Sequence, residues 1–166
     1  ITGNTFTGAK LFRAIAQLRP WGTGKIELPV NDKLFFMPPR PHLPANFTLR
    51  EAICYPKSES CFSPDEIIQT LKIVGLVHLI EQLDSVDVWA RSLSRNDQQR
   101  LGMVRLLLNK PRWIFLQEAF DSLDADSEEK MLRLINHYLP DATLLSITHL
   151  ETAPMFHDST LYFPGE

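Results

Sequence analysis

Residues 111–118 read PRWIFLQE, and the run from Trp113 to Leu116 is apolar without a break. So short a run is a strand rather than a helix, and its lack of alternation marks a strand buried on both faces. Pro111 has no N–H to give to a ladder, so it opens the strand. The preceding stretch, SLSRNDQQRLGMVRLLLNK (92–110), places Leu101, Val104, Arg105 and Leu108 at helical spacing. Ser94 followed three residues later by Asp97 fits a capping box at the start of that helix. Downstream, EEKMLRLINHYL (128–139) predicts an amphipathic helix with Met131, Leu134, Ile135 and Tyr138 facing inward. TLLSIT (143–148) is then a second buried strand that ends at His149. Two apolar strands, each following a helix, point to a parallel sheet in an α/β fold.

Working outward, AKLFRAIAQL (9–18) has Leu11, Ala14, Ile15 and Leu18 at helical spacing, ended by Pro20, Gly22 and Gly24. IELPV (26–30) and KLFFM (33–37) are short apolar runs of strand type. PPRPHLP (38–44) holds too many prolines for helix or central strand, so it predicts a stiff surface loop. LREAICY (49–55) is a short helix, and residues 57–64 form a polar loop. The segment 63–83 is helical, with Ile67, Ile68, Leu71, Val74 and Leu79 on one side and a break at Gly75. FHDSTLYF (156–163) is a last strand candidate.

The 166 residues fit one domain, 1–166, and 44% hydrophobic with 22% charged residues is ordinary for a globular core. A formal charge of −3 argues against nucleic acid as a partner. Cys54 and Cys61 stand at no metal-ligand spacing with a histidine, and they read as free thiols. His42, His78, His137 and His157 likewise form no metal motif, so no metal site is expected. No membrane-spanning run or signal peptide stands in the sequence.

One further stretch, GNTFTGAK (3–10), has the glycine spacing of a phosphate-binding loop, G-x-x-x-x-G-K-[ST]. Ala9 stands where lysine belongs, and Lys10 where serine or threonine belongs. Such a loop follows a buried strand, of which at most two residues are present here. The expectation is a natural protein that continues upstream, with a fold that has lost a central strand as the alternative.

Five segments then fall in order: GNTFTGAK as a Walker A loop, PPRPHLPANFTLREAICYP as a Q-loop region, LSRNDQQR as an LSGGQ-type signature, WIFLQEAFDSLD as a Walker B strand with its D-loop, and SITH as a switch-histidine strand. Together they resemble the nucleotide-binding domain of ATP-binding cassette (ABC) transporters, in the style of the peroxisomal fatty-acyl half-transporters and their bacterial relatives. The resemblance covers nearly the whole chain. It implies an α/β fold: a P-loop NTPase-like, mostly parallel sheet flanked by helices. A helical subdomain would occupy about residues 45–108, the remainder would be the α/β core, and the N-terminal part of the cassette would be missing. It also implies head-to-tail pairing of two cassettes around ATP, and membrane domains docked near the Q-loop.

Carried over position by position, the resemblance gives Gly3, Asn4, Thr7, Gly8 and Lys10 to the phosphate loop, Ser94 to a phosphate across a dimer, and Asp124 to the D-loop. Glu118 matches the general base and His149 the switch histidine. Four chemical positions depart from the family. Ala9 offers no cation, Lys10 no hydroxyl for Mg²⁺, Pro39 no Q-loop amide and Gln117 no Walker B carboxylate. Phe6 stands where glycine would let backbone approach phosphate, and Arg95 and Asn96 replace the signature glycines. Nucleotide hydrolysis is mostly positioning and charge neutralisation. The expectation is therefore a degenerate cassette that does not hydrolyse ATP, needs no cofactor and binds Mg-ATP weakly or not at all. In that case Glu118, His149 and Asp124 have structural uses, and Gly3 and Gly8 remain because the turn needs positive φ. Its partners would be proteins: the transmembrane domains of a transporter, subunits of a larger assembly, or a second cassette. Its place would be the cytoplasmic face of a membrane. Two other readings stay open: the silent half of an asymmetric ATPase pair that lends Ser94 to its partner, and a working ATPase in which Lys10 replaces the missing lysine.

Overall fold

The structure is a computed structural model that describes residues 1–3, 5–18, 23–29, 32–148 and 153–163. Its elements are β1 (Thr2–Gly3), α1 (Thr5–Ile15), β2 (Leu34–Met37), β3 (Phe47–Thr48), α2 (Leu49–Cys54) and α3 (Pro64–Val74). They continue with β4 (Val86–Asp87), α4 (Trp89–Ser92), α5 (Arg95–Asn109), β5 (Trp113–Gln117), α6 (Ala125–Tyr138), β6 (Thr143–Ile147) and β7 (Tyr162–Phe163).

The central sheet has the order β2-β5-β6, all parallel, with Phe36 beside Phe115 and Phe115 beside Leu145. PRWIFLQE supplies its middle strand, and the absence of alternation has the expected cause. Ile114 and Leu116 face the larger apolar core built with α2, α3, α5 and α6. Trp113 and Phe115 face a second core with Phe12, Ile15 and Ile147, under α1. There Phe36 stacks on Phe115 at 4.5 Å, and Phe12 meets the same ring edge-on at 6.0 Å. β1 and β7 form a separate parallel pair, and β3 and β4 an antiparallel one.

The helix boundaries follow from capping chemistry. Ser63 and Glu66 form a reciprocal capping box on α3, with Pro64 in the first turn, and Gly75 ends it at φ 83°. Thr48 and Glu51 do the same for α2. Ser94 caps α5 by accepting the Asp97 N–H at 3.1 Å.

Several expectations need correction. The first helix begins at Thr5 rather than residue 9 and ends at Ile15, because Gln17 turns left-handed (φ 59°) and the Leu18 N–H bonds back to the Arg13 carbonyl. Residues 26–29 form no strand, and Val30 lies outside the described residues. In the proline-rich loop Pro41 and Leu43 are buried, so it is only partly a surface loop. On α6 Leu132 is buried with Met131 and Ile135, whereas Tyr138 is 45% exposed. Of 156–163 only Tyr162–Phe163 is strand. Both cysteines are free, as expected. Among the described residues no helix is long and apolar enough to cross a membrane.

Candidate functional site

The three central strands end side by side. Met37 pairs with Leu116, and Gln117 with Ile147, which puts Pro39, Glu118 and Thr148 just beyond one edge of the sheet. The carboxyl edge of an open parallel sheet is where such folds bind ligands. Glu118 adopts φ 45°, an uncommon conformation for a side-chain-bearing residue, while its N–H bonds the Ile147 carbonyl at 2.9 Å. Strain of this kind clusters at functional edges. Thr148 donates to Glu128 on α6 at 2.6 Å, which ties the end of β6 to that helix.

The glycine-spaced segment is wound into α1. Gly8 is buried inside that helix and has no positive φ, which overturns the turn-based explanation of its identity. Close packing explains it instead: a Cβ there would sit 2.9 Å from Cδ1 of Ile147. Gly3 is a strand residue in β1. Phe6 is 65% exposed, and the exposed Lys10 places Nζ 4.2 Å from its ring centroid, one helical turn on. Thr7 lies half-buried on the same helix. Asn4 and His149 lie outside the described residues. Gln117 lines a cavity of about 240 Å³ with Phe12, Met37 and Pro38 among its walls.

The signature segment is tied to its own chain. Arg95 pairs with Asp121 at 2.8 Å. Asn96 accepts from Arg100 Nε at 2.7 Å, and Arg100 also donates to the Val74 carbonyl at 2.8 Å. Ser94 Oγ donates to Asp97 at 2.7 Å as well as accepting its N–H. Arg95 and Asn96 thus both hold intrachain partners, while Arg95 stays exposed.

With these positions fixed, related proteins supply what geometry alone does not. No family model matches the chain. An ABC transporter ATP-binding protein of Haemophilus influenzae is 36% identical over 151 residues, which is 91% of this chain and 25% of the relative. One of Synechocystis sp. is 37% identical over 163 residues, 95% of this chain and 24% of the relative. ABC transporter D family member 1 of Arabidopsis thaliana is 30% identical over 178 residues, all of this chain and 13% of the relative. The chain is homologous to ABC transporter ATP-binding proteins. It spans about a quarter or less of the length of these curated relatives.

Within this ABC-type chain, the D-loop position Asp124 has a capping role, and one site element, Gln99, was not foreseen. Asp124 is the N-cap of α6, accepting the Ser127 N–H at 2.8 Å. That amide and then the Ser127 hydroxyl hold its carboxyl below the usual range. Gln99, quoted in the sequence only as part of QQR, is completely buried. Its Nε2 donates to the Pro39 carbonyl at 3.1 Å and to Asp121, and its Oε1 accepts the Ser122 N–H at 3.0 Å. One side chain thus joins the signature helix, the Q-loop position and the D-loop segment. The available signal was that Gln99 lies four and seven residues before Met103 and Leu106, on the helix's buried face.

Proposed function

We propose that this chain is a degenerate ABC-type cassette that does not hydrolyse ATP, binds Mg-ATP weakly or not at all, and serves as a structural module docking other proteins. The observation that carries the reading is the setting of Gln117. The Walker B position holds a neutral amide beside an open groove that Phe12, Arg13, Met37 and Pro38 also line. Mg²⁺ demands near-octahedral oxygen ligation, and the neutral amide of Gln117 brings none of the negative charge a carboxylate would supply at this position. The neighbouring positions add to the misfit: Ala9 has no functional group, Pro39 no side-chain amide, and Lys10 lies against Phe6. From Ala9 onward the amides of the loop segment belong to the α1 hydrogen-bond ladder, which leaves only those of the helix's first turn, residues 5–8, without an acceptor in the helix. The residues present therefore do not fit Mg-ATP. Losing the fixed cations forfeits the electrostatic stabilisation that dominates this class of catalysis.

Phosphate release from Mg-ATP tests this together with the Lys10 alternative. The expected rate equals the protein-free blank for the wild-type chain and for Lys10→Ala. Turnover that disappears in Lys10→Ala would overturn the reading.

A second reading is favoured by what the relatives are, ABC transporter ATP-binding proteins. In it the chain is the silent half of an asymmetric pair at the cytoplasmic face of a membrane, supporting transport by a competent partner cassette and transmembrane domains. Ser94 at the N-terminus of the 15-residue α5 is the group it would lend. Its hydroxyl already serves Asp97, and Arg95 beside it serves Asp121, which ranks this reading second.

A further inference from the structure

At the opposite side of the sheet from β6, β2 is an edge strand: among the described residues it pairs with β5 alone. A groove of about 430 Å³ lies against it. Leu34, Phe35 and Phe36 all line that groove, with Lys33, Pro56 and Lys57 and, from the stretch before β5, Asn109 and Pro111. Successive strand residues point to opposite faces of a sheet. Here Leu34 and Phe36 belong to the core under α1, and Phe35 to the core on the other face. A cavity lined by all three therefore lies beside the strand's free edge, with Asn109 and Pro111 closing it on the α5 side. An edge with an apolar lining is a template for an added strand.

The charges select the occupant. Lys33 and Lys57 form no ion pair among the described residues, and no carboxylate lines the groove. The adjacent carboxylate, Asp32, accepts the Trp113 indole N–H at 2.9 Å. A second copy of this chain would bring its own Lys33 and Lys57 to the same edge, and facing like charges destabilise a strand pair. The chain as a whole carries −3, so this positive lining is a local feature.

We propose that the free edge of β2 docks an extended protein segment in which apolar side chains alternate with acidic ones. The apolar residues fill the groove, the acids meet Lys33 and Lys57, and the backbone continues the β2 ladder. This rests on the docking-module reading and names its partner chemistry. Its experiment contains no nucleotide, so it can fail while the account of the ATP site stands.

The probe is a fluorescein-labelled six-residue peptide alternating valine and glutamate, titrated with the chain by fluorescence anisotropy. The expected result is saturable binding that weakens about tenfold or more in the double variant Lys33→Glu, Lys57→Glu. An N-methylated version of the peptide, which cannot pair its backbone, is expected to lose binding. Amide exchange at 34–37 in the wild-type chain is expected to slow when the peptide is present. Any of four results would overturn the proposal: no saturable binding, equal binding of a valine–lysine peptide, equal competition by a single-stranded oligonucleotide, or peptide binding that leaves exchange at 34–37 unchanged. Concentration-dependent self-association that protects the same amides would overturn it too, by naming a second copy as the occupant.

Discussion

Gln99 contributes to this molecule without any charge of its own. Its amide meets the Pro39 carbonyl, Asp121 and the Ser122 N–H in a fully buried setting. Removing one partner from a buried network leaves the others unsatisfied, which costs more than the bond was worth. Gln99→Ala is expected to lower stability by about 2–4 kcal/mol in urea unfolding. Gln99→Glu should be harmful near pH 7, where it sets a second carboxylate against Asp121. Arg105 follows similar logic. Burial pushes its guanidinium down to about 10, so it stays charged at neutral pH. Its partners are the Ala52 and Ile53 carbonyls at the end of α2, at 3.2 and 3.3 Å. Arg105→Met is expected to cost about 1–3 kcal/mol, because those buried carbonyls lose their donor. The thiols also differ. Burial first, then the charge of Glu59, raises Cys54 to about 11, while Cys61 is exposed. Maleimide at pH 7 is expected to label one thiol in the native chain and two after denaturation.

At the scale of elements, capping decides where helices stop and start. Gly75 ends α3 at φ 83°, a conformation that penalises a Cβ. Gly75→Ala is expected to cost about 1 kcal/mol, read from the denaturation midpoint. Asp124 gives the pH dependence. Its carboxyl is held below the ordinary value by the Ser127 N–H, so its cap contribution is fully present above the unfolded carboxylate pKa. That contribution is lost as pH falls through the lowered folded value, below about pH 4. Asp124→Asn keeps a capping oxygen at every pH. The stability gap between wild type and this variant is expected to shift toward the variant below about pH 4 and to be flat from pH 5 to 8. These elements were also the legible part of the sequence. Residues 111–118 and 143–148 read as buried strands because an unbroken apolar run has few other uses. Ser94 was readable from cap chemistry and Gly75 as a helix breaker, whereas the 49–55 helix was read without its Thr48 cap. Tyr138 was misplaced because a ring at helical spacing carries no mark of which neighbour covers it. Residues 26–29 have strand composition, but no partner strand meets them among the described residues.

For the whole molecule, two apolar cores lie on either face of a three-stranded parallel sheet, and Pro39, Glu118 and Thr148 stand just beyond one edge of it. Two unbroken apolar strands, each following a helix, made the parallel sheet legible in the sequence. The local chemistry was less so. Gly8 was assigned to a strained turn, yet it is a helical residue pressed against Ile147. Arg95 was read only as a replacement for a signature glycine, yet it pairs with Asp121 across 26 residues. Spacing along a chain shows which positions share an element, but not which distant side chain closes over them. The central claim is that this edge has no seat for a divalent cation and its triphosphate. Isothermal calorimetric titration of the chain with Mg-ATP addresses it directly. The account predicts no saturable heat up to about 1 mM nucleotide. A dissociation constant in the micromolar range that vanishes when Mg²⁺ is chelated would contradict it.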